Sequence, residues 1–247
     1  MVTPLLRLSQ GHLQLLAQCP PQFQRRYLEP GGALLALTDP EFSARSPNRD
    51  WGQKFHQTMQ QWELGLPLDR VLDRDPELEQ SLRALLQAVP ALQRPDPQRR
   101  AEHRRLLSLG PALLTVVYDL LICSETGAEI LDWKTYPLPQ SGAKKILNHW
   151  QTKLYLYVLA ETSAYRPEDL SMTYWFVKLP RRPESLTLRY SAALHRQVRE
   201  ELEQLLEDLQ TWRRGWYENQ ISLPHRPDCE TCPYRRRFFP STPPSAD

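Results

Sequence analysis

One run of residues narrows the possible architectures more than any other part of the chain. Leu113–Cys123 reads LLTVVYDLLIC: apolar, rich in β-branched residues, and interrupted by a single acid, Asp119. A turn signal follows at Ser124-Glu125-Thr126-Gly127, and a second short run, Glu129–Thr135, carries Asp132 and Lys134. The pattern predicts strand–turn–strand, with Gly127 closing the hairpin. Residues two apart on a strand share a face, so Asp132 and Lys134 project together with Trp133 behind them. A helical stretch beyond places Gln151 and Tyr155 four residues apart, on one helix face. Two acids, a lysine, a glutamine and a tyrosine can thus converge on one spot.

A chain of 247 residues is expected to form one large domain, or one with a small appendage. Hydrophobic residues make up 40%, enough to bury a core. The 23 prolines fall mostly between periodic segments, where they stop helices and stiffen loops. A net charge of +2 excludes a global positive field. The arginine and lysine pairs at 25–26, 99–100, 104–105, 144–145, 181–182 and 213–214, with the run 235–237, can still line a local groove, or form solvated helix faces. No apolar run is long enough to span a bilayer, and the opening MVTPLLRLSQ lacks a signal-peptide core. Four cysteines do not make a secreted disulfide framework, so a soluble cytoplasmic protein without a membrane partner is expected.

Taken in order, residues 1–8 read as an extended lead-in. Ser9 caps a helix over about Gln10–Leu28, which Cys19-Pro20-Pro21 should break or kink. Glu29–Arg49 reads as loop, Trp51–Leu64 as a helix capped by Asp50, and Pro76–Val89 as an amphipathic helix with Leu78, Leu82, Leu85 and Leu86 on one face. Residues 90–100 form a Pro-rich linker, and Ala101–Ser108 fits either a strand or a last helical turn. Gly142–Thr162 is helical, Met172–Lys178 and Leu186–Tyr190 are strands, and Ser191–Tyr217 is a long amphipathic helix. Residues 218–240 are irregular, and the last seven should be disordered. The order predicts an α/β fold, a mixed sheet flanked by helices, with 1–110 mainly helical, 111–217 the α/β core and 218–240 a cysteine-containing segment, all in one domain over 1–240.

Two aspartates on adjacent strands suit a hard divalent cation such as Mg²⁺ or Mn²⁺. A lysine two residues from one of them sits at the mouth of that site, where it can orient an attacking water, help deprotonate it, or stabilise charge on a phosphorane-like transition state. Phosphodiester hydrolysis is the reaction class this suggests. A surface Asp-x-Lys without chemistry is the bland alternative, weakened by Asp119, since a lone carboxylate in an apolar strand is costly without a partner.

These pieces resemble the RecB-like branch of the PD-(D/E)XK nucleases, which includes CRISPR-associated and AddB-type exonucleases. LSQGHLQLLAQCPPQFQRRYL is similar to the family's opening, WGQKFH to its glycine-x-x-x-histidine helix, VYDLL to its motif II strand, ILDWKTY to its motif III strand and QTKLY to its glutamine-x-x-x-tyrosine helix. The resemblance implies a restriction-endonuclease-like fold, a DNA substrate and a metal-dependent nuclease, exonucleolytic more than endonucleolytic. It implies Asp119 and Asp132 as metal ligands and catalytic acids, Lys134 as the catalytic lysine, and His56 and the Trp133 carbonyl as further ligands. Gln151 and Tyr155 would contact substrate or position the motif III strand. DNA repair, recombination and CRISPR adaptation all use such nucleases, and a helicase or another repair or CRISPR protein would be a separate partner. The same fold kept as a non-catalytic nucleic-acid-binding or scaffolding module is the alternative.

Two departures from the family stand out. Val116-Val117 occupies the place of a glycine shortly before the motif II aspartate, where bulk could narrow the approach. Relatives bind an iron–sulfur cluster through one early and three late cysteines; Cys19, Cys229 and Cys232 match, but Phe238 replaces the fourth. A cluster is therefore not expected. A zinc site completed by His225 and a degenerate, metal-free staple both remain open, the second preferred.

Overall fold

The structure, a computed structural model, describes residues 6–32, 47–94, 96, 99–138, 143–178 and 182–227. The chain divides into two compact units: Met1–Gln10 with Arg45–Glu200, and Gly11–Ala44 with Glu201–Asp247. The described helices are α1 (Gln10–Gln18), α2 (Pro20–Tyr27), α3 (Pro47–Glu63), α4 (Asp69–Leu72), α5 (Pro76–Ala88), α6 (Ala143–Leu147), α7 (Trp150–Glu161) and α8 (Ala192–Asn219). The strands are β1 (Leu6–Leu8), β2 (Arg100–Leu109), β3 (Ala112–Cys123), β4 (Ala128–Lys134), β5 (Leu170–Phe176) and β6 (Glu184–Arg189).

All six strands form one mixed sheet in the first unit, in the order β1-β3-β4-β5-β6, with β2 paired to β3. The β1–β3 and β4–β5 pairs are parallel and the rest antiparallel. The lead-in and the undecided segment before Ser108 are thus both strands, and the N-terminal part supplies two strands where a mainly helical region is expected. β2 pairs with β3 alone, which lets it carry His103, Arg104 and Arg105 without burying them; that charge hides its strand character in the sequence. A two-residue turn joins β2 to β3, and Gly110 takes the positive φ (54°) that so tight a hairpin requires. Ser124 closes the β3–β4 turn: its amide donates to Gly127 O (2.8 Å) and its Oγ accepts from Gly127 N (3.1 Å).

Helices cover the sheet with apolar faces. Phe55 and Met59 of α3 and Leu78, Leu82 and Leu85 of α5 form one cluster with Leu120, Leu131 and Trp133 of the sheet. Asp75 caps α5 by accepting from Leu78 N (3.2 Å), with Pro76 at the first helical position. Helix α7 is buried almost all round and packs on the sheet, where Tyr155 meets Tyr118 edge-on at 5.3 Å and Thr152 Oγ1 bonds Tyr174 OH at 2.7 Å.

Two expected helices differ from expectation, and the first breaks where Cys19-Pro20-Pro21 should break it. The 142–162 helix is two helices, because His149 is extended and caps α7 with its ring, Nδ1 accepting from Gln151 N (3.1 Å). The first helix divides at Cys19, with Pro20 opening α2. Helix α3 begins at Pro47, before the expected cap at Asp50. Within the second unit Gln24 is buried and accepts from Leu223 N (2.7 Å) through Oε1. No described helix is long and apolar enough to cross a membrane. Cys229, Cys232, Phe238, the 235–237 arginines and the expected tail at 241–247 lie outside the described residues.

Candidate active site

The sheet forks where the candidate residues lie. One edge of β3 carries β2 along most of its length; the other carries β1 up to Leu114 and β4 only from Leu120. Among the described residues, no strand lies beside 115–119 of β3 on that second edge. Asp119 stands at the inner end of this gap, just before the Leu120–Leu131 pair, and Asp132 just after it. The Trp133 amide, beyond the β3–β4 ladder, donates to Asp119 Oδ2 (2.8 Å), so a carboxylate takes the place of the missing backbone acceptor.

The alternation of β3 also slips at this point. Tyr118 packs on Tyr155 of α7, whereas Leu120, two residues on, joins the cluster under α3 and α5. Two such residues would share a face in a regular strand. Opposite Asp119, Glu102 of β2 has φ 49°, and the ladder omits this pair while keeping its register on both sides. A left-handed φ on a non-glycine residue costs about 1–2 kcal/mol and points to a constraint at the site. The slip lets Asp119 reach β4 through Oδ2 and α3 through Oδ1, which lies 3.3 Å from His56 Nδ1. Ligand atoms of His56, Glu102 and Asp119 all fall within 4.8 Å of one another.

His56 depends on Gly52 one turn earlier on α3. A Cβ at Gly52 would lie 2.7 Å from Thr135 Oγ1, at the end of β4, so the absent side chain sets how closely the helix approaches the strand.

Lys134, Asp132 and Gln151 form a closed triangle. Lys134 Nζ lies 2.5 Å from Asp132 Oδ1 and donates to Gln151 Oε1 (2.8 Å), while Gln151 Nε2 donates to Asp132 Oδ2 (2.6 Å). Asp132 is 1% exposed. Burial and the nearby Asp119 charge push its carboxyl up to about 7, against the pull of Lys134 and His56. Burial would lower Lys134, but the Asp132 carboxylate outweighs it and holds the ammonium above its usual range. Burial also opposes a charge on His56; the Asp119 bond and the charges of Asp119, Asp132 and Glu102 raise it. Burial and Asp119 raise Glu102 in turn, with His56 pulling the other way. Burial acts on all four groups, and the clustered carboxylates add to it for Asp132 and Glu102 and override it for His56 and Lys134.

His56, Asp119, Asp132, Lys134 and Gln151 thus come together. Tyr155 departs from the expected substrate contact: it is 4% exposed, and its ring packs under the site against Tyr118. The Trp133 ring is core, and its amide donates to Asp119 at the site. Val116 is buried and Val117 half-buried. Cys19 is buried between α1 and α2, and His225 is exposed. Several paired arginines belong to neither a groove nor a solvated face: Arg99 is buried against Glu63 (2.8 Å), Arg105 donates to Thr162 O (2.7 Å), and Arg213 is buried.

Sequence reasoning missed Glu102 and His149. A signal for Glu102 was present: once Gly110-Pro111 is read as a two-residue turn, counting back from Leu109 and forward from Ala112 sets Glu102 opposite Asp119. His149 follows from the α6–α7 break, which periodicity does not show.

Among curated proteins, none matches this sequence. Among the solved structures that resemble it are two that match nearly the whole chain. SSO0001 is 15% identical, with 100% of this chain and 90% of that one covered and a TM-score of 0.45. A candidate exonuclease from Eubacterium rectale is 10% identical, with 97% and 91% covered and a TM-score of 0.52, a likeness of fold. The family model of the PD-(D/E)XK nuclease superfamily matches residues 7–237, a span that takes in the forked sheet, both aspartates and the lysine, and the chain belongs to that superfamily.

Proposed function

We propose that the chain is a divalent-metal-dependent deoxyribonuclease of the RecB-like branch, acting on DNA ends. The observation that carries the reading is the Lys134–Asp132–Gln151 triangle beside the Asp119–His56 pair. Desolvating an ammonium and a carboxylate together is costly, and here the pair stands beside two more titratable side chains, Asp119 and His56, the kind of cluster that active sites gather.

The residues fit a hard cation. Asp132 Oδ1 is buried against the Lys134 ammonium at 2.5 Å, and a carboxylate oxygen keeps a second lone pair for a ligand. Asp119 and Glu102 supply carboxylate oxygens, the donors that suit Mg²⁺ and Mn²⁺, and His56 adds an imidazole nitrogen beside them. Asp119 and Asp132 would hold the ion, with His56 and Glu102 beside them. A bound ion supplies Lewis-acid chemistry: it neutralises the scissile phosphate and lowers the pKa of water.

The chain's own residues do the rest. Gln151 spans Asp132 and Lys134 and fixes the orientation of both. Lys134 keeps its proton, so it aligns the attacking water and stabilises the negative charge that develops as the new P–O bond forms and the bond to the leaving oxygen breaks; the water's proton passes to bulk solvent, and the leaving oxygen takes one from it. Tyr155 backs the triangle from within the core and stays protonated, its hydroxyl raised by burial and by both aspartates.

The test is cleavage of labelled single- and double-stranded DNA, with plain and circular substrates, in Mg²⁺ or Mn²⁺ and with chelator. The expected result is chelator-sensitive loss of linear DNA from its ends with circles spared. Cleavage of circles would replace the exonuclease reading by an endonuclease, and binding without cleavage in either metal would favour the non-catalytic module.

A further inference from the structure

A cavity of about 270 Å³ opens from the lysine side of the triangle, walled by Lys134, Gln151, Lys145, His149, Tyr136 and Tyr174. This is just below the ~300–1,000 Å³ of small-ligand pockets, room for part of a nucleotide. None of its lining residues is acidic, although acids crowd the other side of Lys134. Its donors are arranged for an anion. The His149 ring spends Nδ1 as the acceptor that caps α7, so the neutral ring carries its proton on Nε2 and can only donate there. Burial, with Lys134 and Lys145 nearby, lowers His149 and keeps that ring neutral. Lys145 is exposed on α6, and Lys134 lies over the Tyr174 ring at 5.0 Å. Tyr136 is 45% exposed and is held edge-on to Phe176 at 5.8 Å, a face against which a sugar or base can lie.

We propose that this cavity is a phosphate subsite, in which Lys145 and the Nε2–H of His149 grip the phosphate of the nucleotide next to the scissile one while Tyr136 supports its sugar or base. The proposal rests on the nuclease reading for the word "scissile". The phosphate chemistry itself does not depend on that reading. The break between α6 and α7 acquires a purpose: it turns a capping residue into a ligand-facing donor.

The test is affinity for a fluorescent single-stranded oligonucleotide, measured in chelator so that no cleavage enters, as a function of salt. Lys145→Ala should weaken binding and reduce the slope of log affinity against log salt by about 0.7, the single-strand value for one lost phosphate contact. His149→Asn keeps a capping side chain and removes the Nε2 donor; it should weaken binding with α7 intact by circular dichroism. Inorganic phosphate and dTMP should compete with the oligonucleotide for the wild type, and thymidine should not. Equal binding of 5′-phosphorylated, 3′-phosphorylated and unphosphorylated strands assigns the subsite to an internal phosphate; dependence on one terminal phosphate assigns it to that strand end. An unchanged salt slope in Lys145→Ala, or thymidine competing as well as dTMP, overturns the proposal. An active nuclease with these results keeps its catalytic reading, and an inactive protein with the expected results keeps the subsite.

Discussion

The Trp133 amide donates to Asp119 Oδ2 at 2.8 Å, across the point where β3 and β4 part. A backbone group of β4 thereby holds the Asp119 carboxylate of β3 in place. Asp119→Asn keeps an oxygen for that amide but removes the anionic donor. Its fold should survive, while Mn²⁺ affinity by calorimetry should fall by at least about tenfold. Undiminished affinity would remove Asp119 from the ligand set.

Glu102 separates stability from function. Its φ of 49° suits glycine better than glutamate. Glu102→Gly should raise metal-free stability in denaturant by about 1 kcal/mol and lower metal affinity at the same time. A variant that gains stability and binds metal as before would make Glu102 a bystander.

Gly52→Ala sets the better helix propensity of alanine, worth about 1 kcal/mol, against a Cβ at 2.7 Å from Thr135 Oγ1. The overlap should win, at about 1–3 kcal/mol, and displace His56 from Asp119. Thr135→Ala in the same chain should restore activity and stability, since it removes the opposing hydroxyl. Additive effects in that double-mutant cycle would contradict the close-approach account.

Arg99 and Glu63 form a buried ion pair away from the site, with side chains 4% and 3% exposed. Arg99 also donates to Ala91 O and Arg94 O. Arg99→Met strands the carboxylate and should destabilise the fold by about 3–5 kcal/mol. Arg99→Met together with Glu63→Leu should recover much of the loss. Thermal unfolding of the two variants decides this.

Much of the fold can be read from the chain because its central strands are apolar and its turns carry their own chemistry. Asp119, Asp132 and Lys134 sit on such strands, and the Asp-x-Lys spacing puts two of them on one face. The rest is a matter of tertiary context. β2 carries too much charge to show alternation, since it lies at an edge. The slip at Asp119 breaks the period-two rule on which any face assignment depends, and only packing reveals it. Tyr155 looks the same in sequence whether it meets substrate or the underside of the site; burial makes it the second.

The most direct measurement is single-turnover DNA cleavage by Lys134→Met beside the wild type, with DNA affinity measured in chelator on the same preparations. Methionine keeps most of the apolar stem and removes the ammonium, leaving the Asp132–Gln151 bond in place. The account predicts a loss of at least about a hundredfold in cleavage rate, with DNA affinity within a few-fold of the wild type. Cleavage at the wild-type rate would contradict it, because the buried lysine would then have no part in the chemistry.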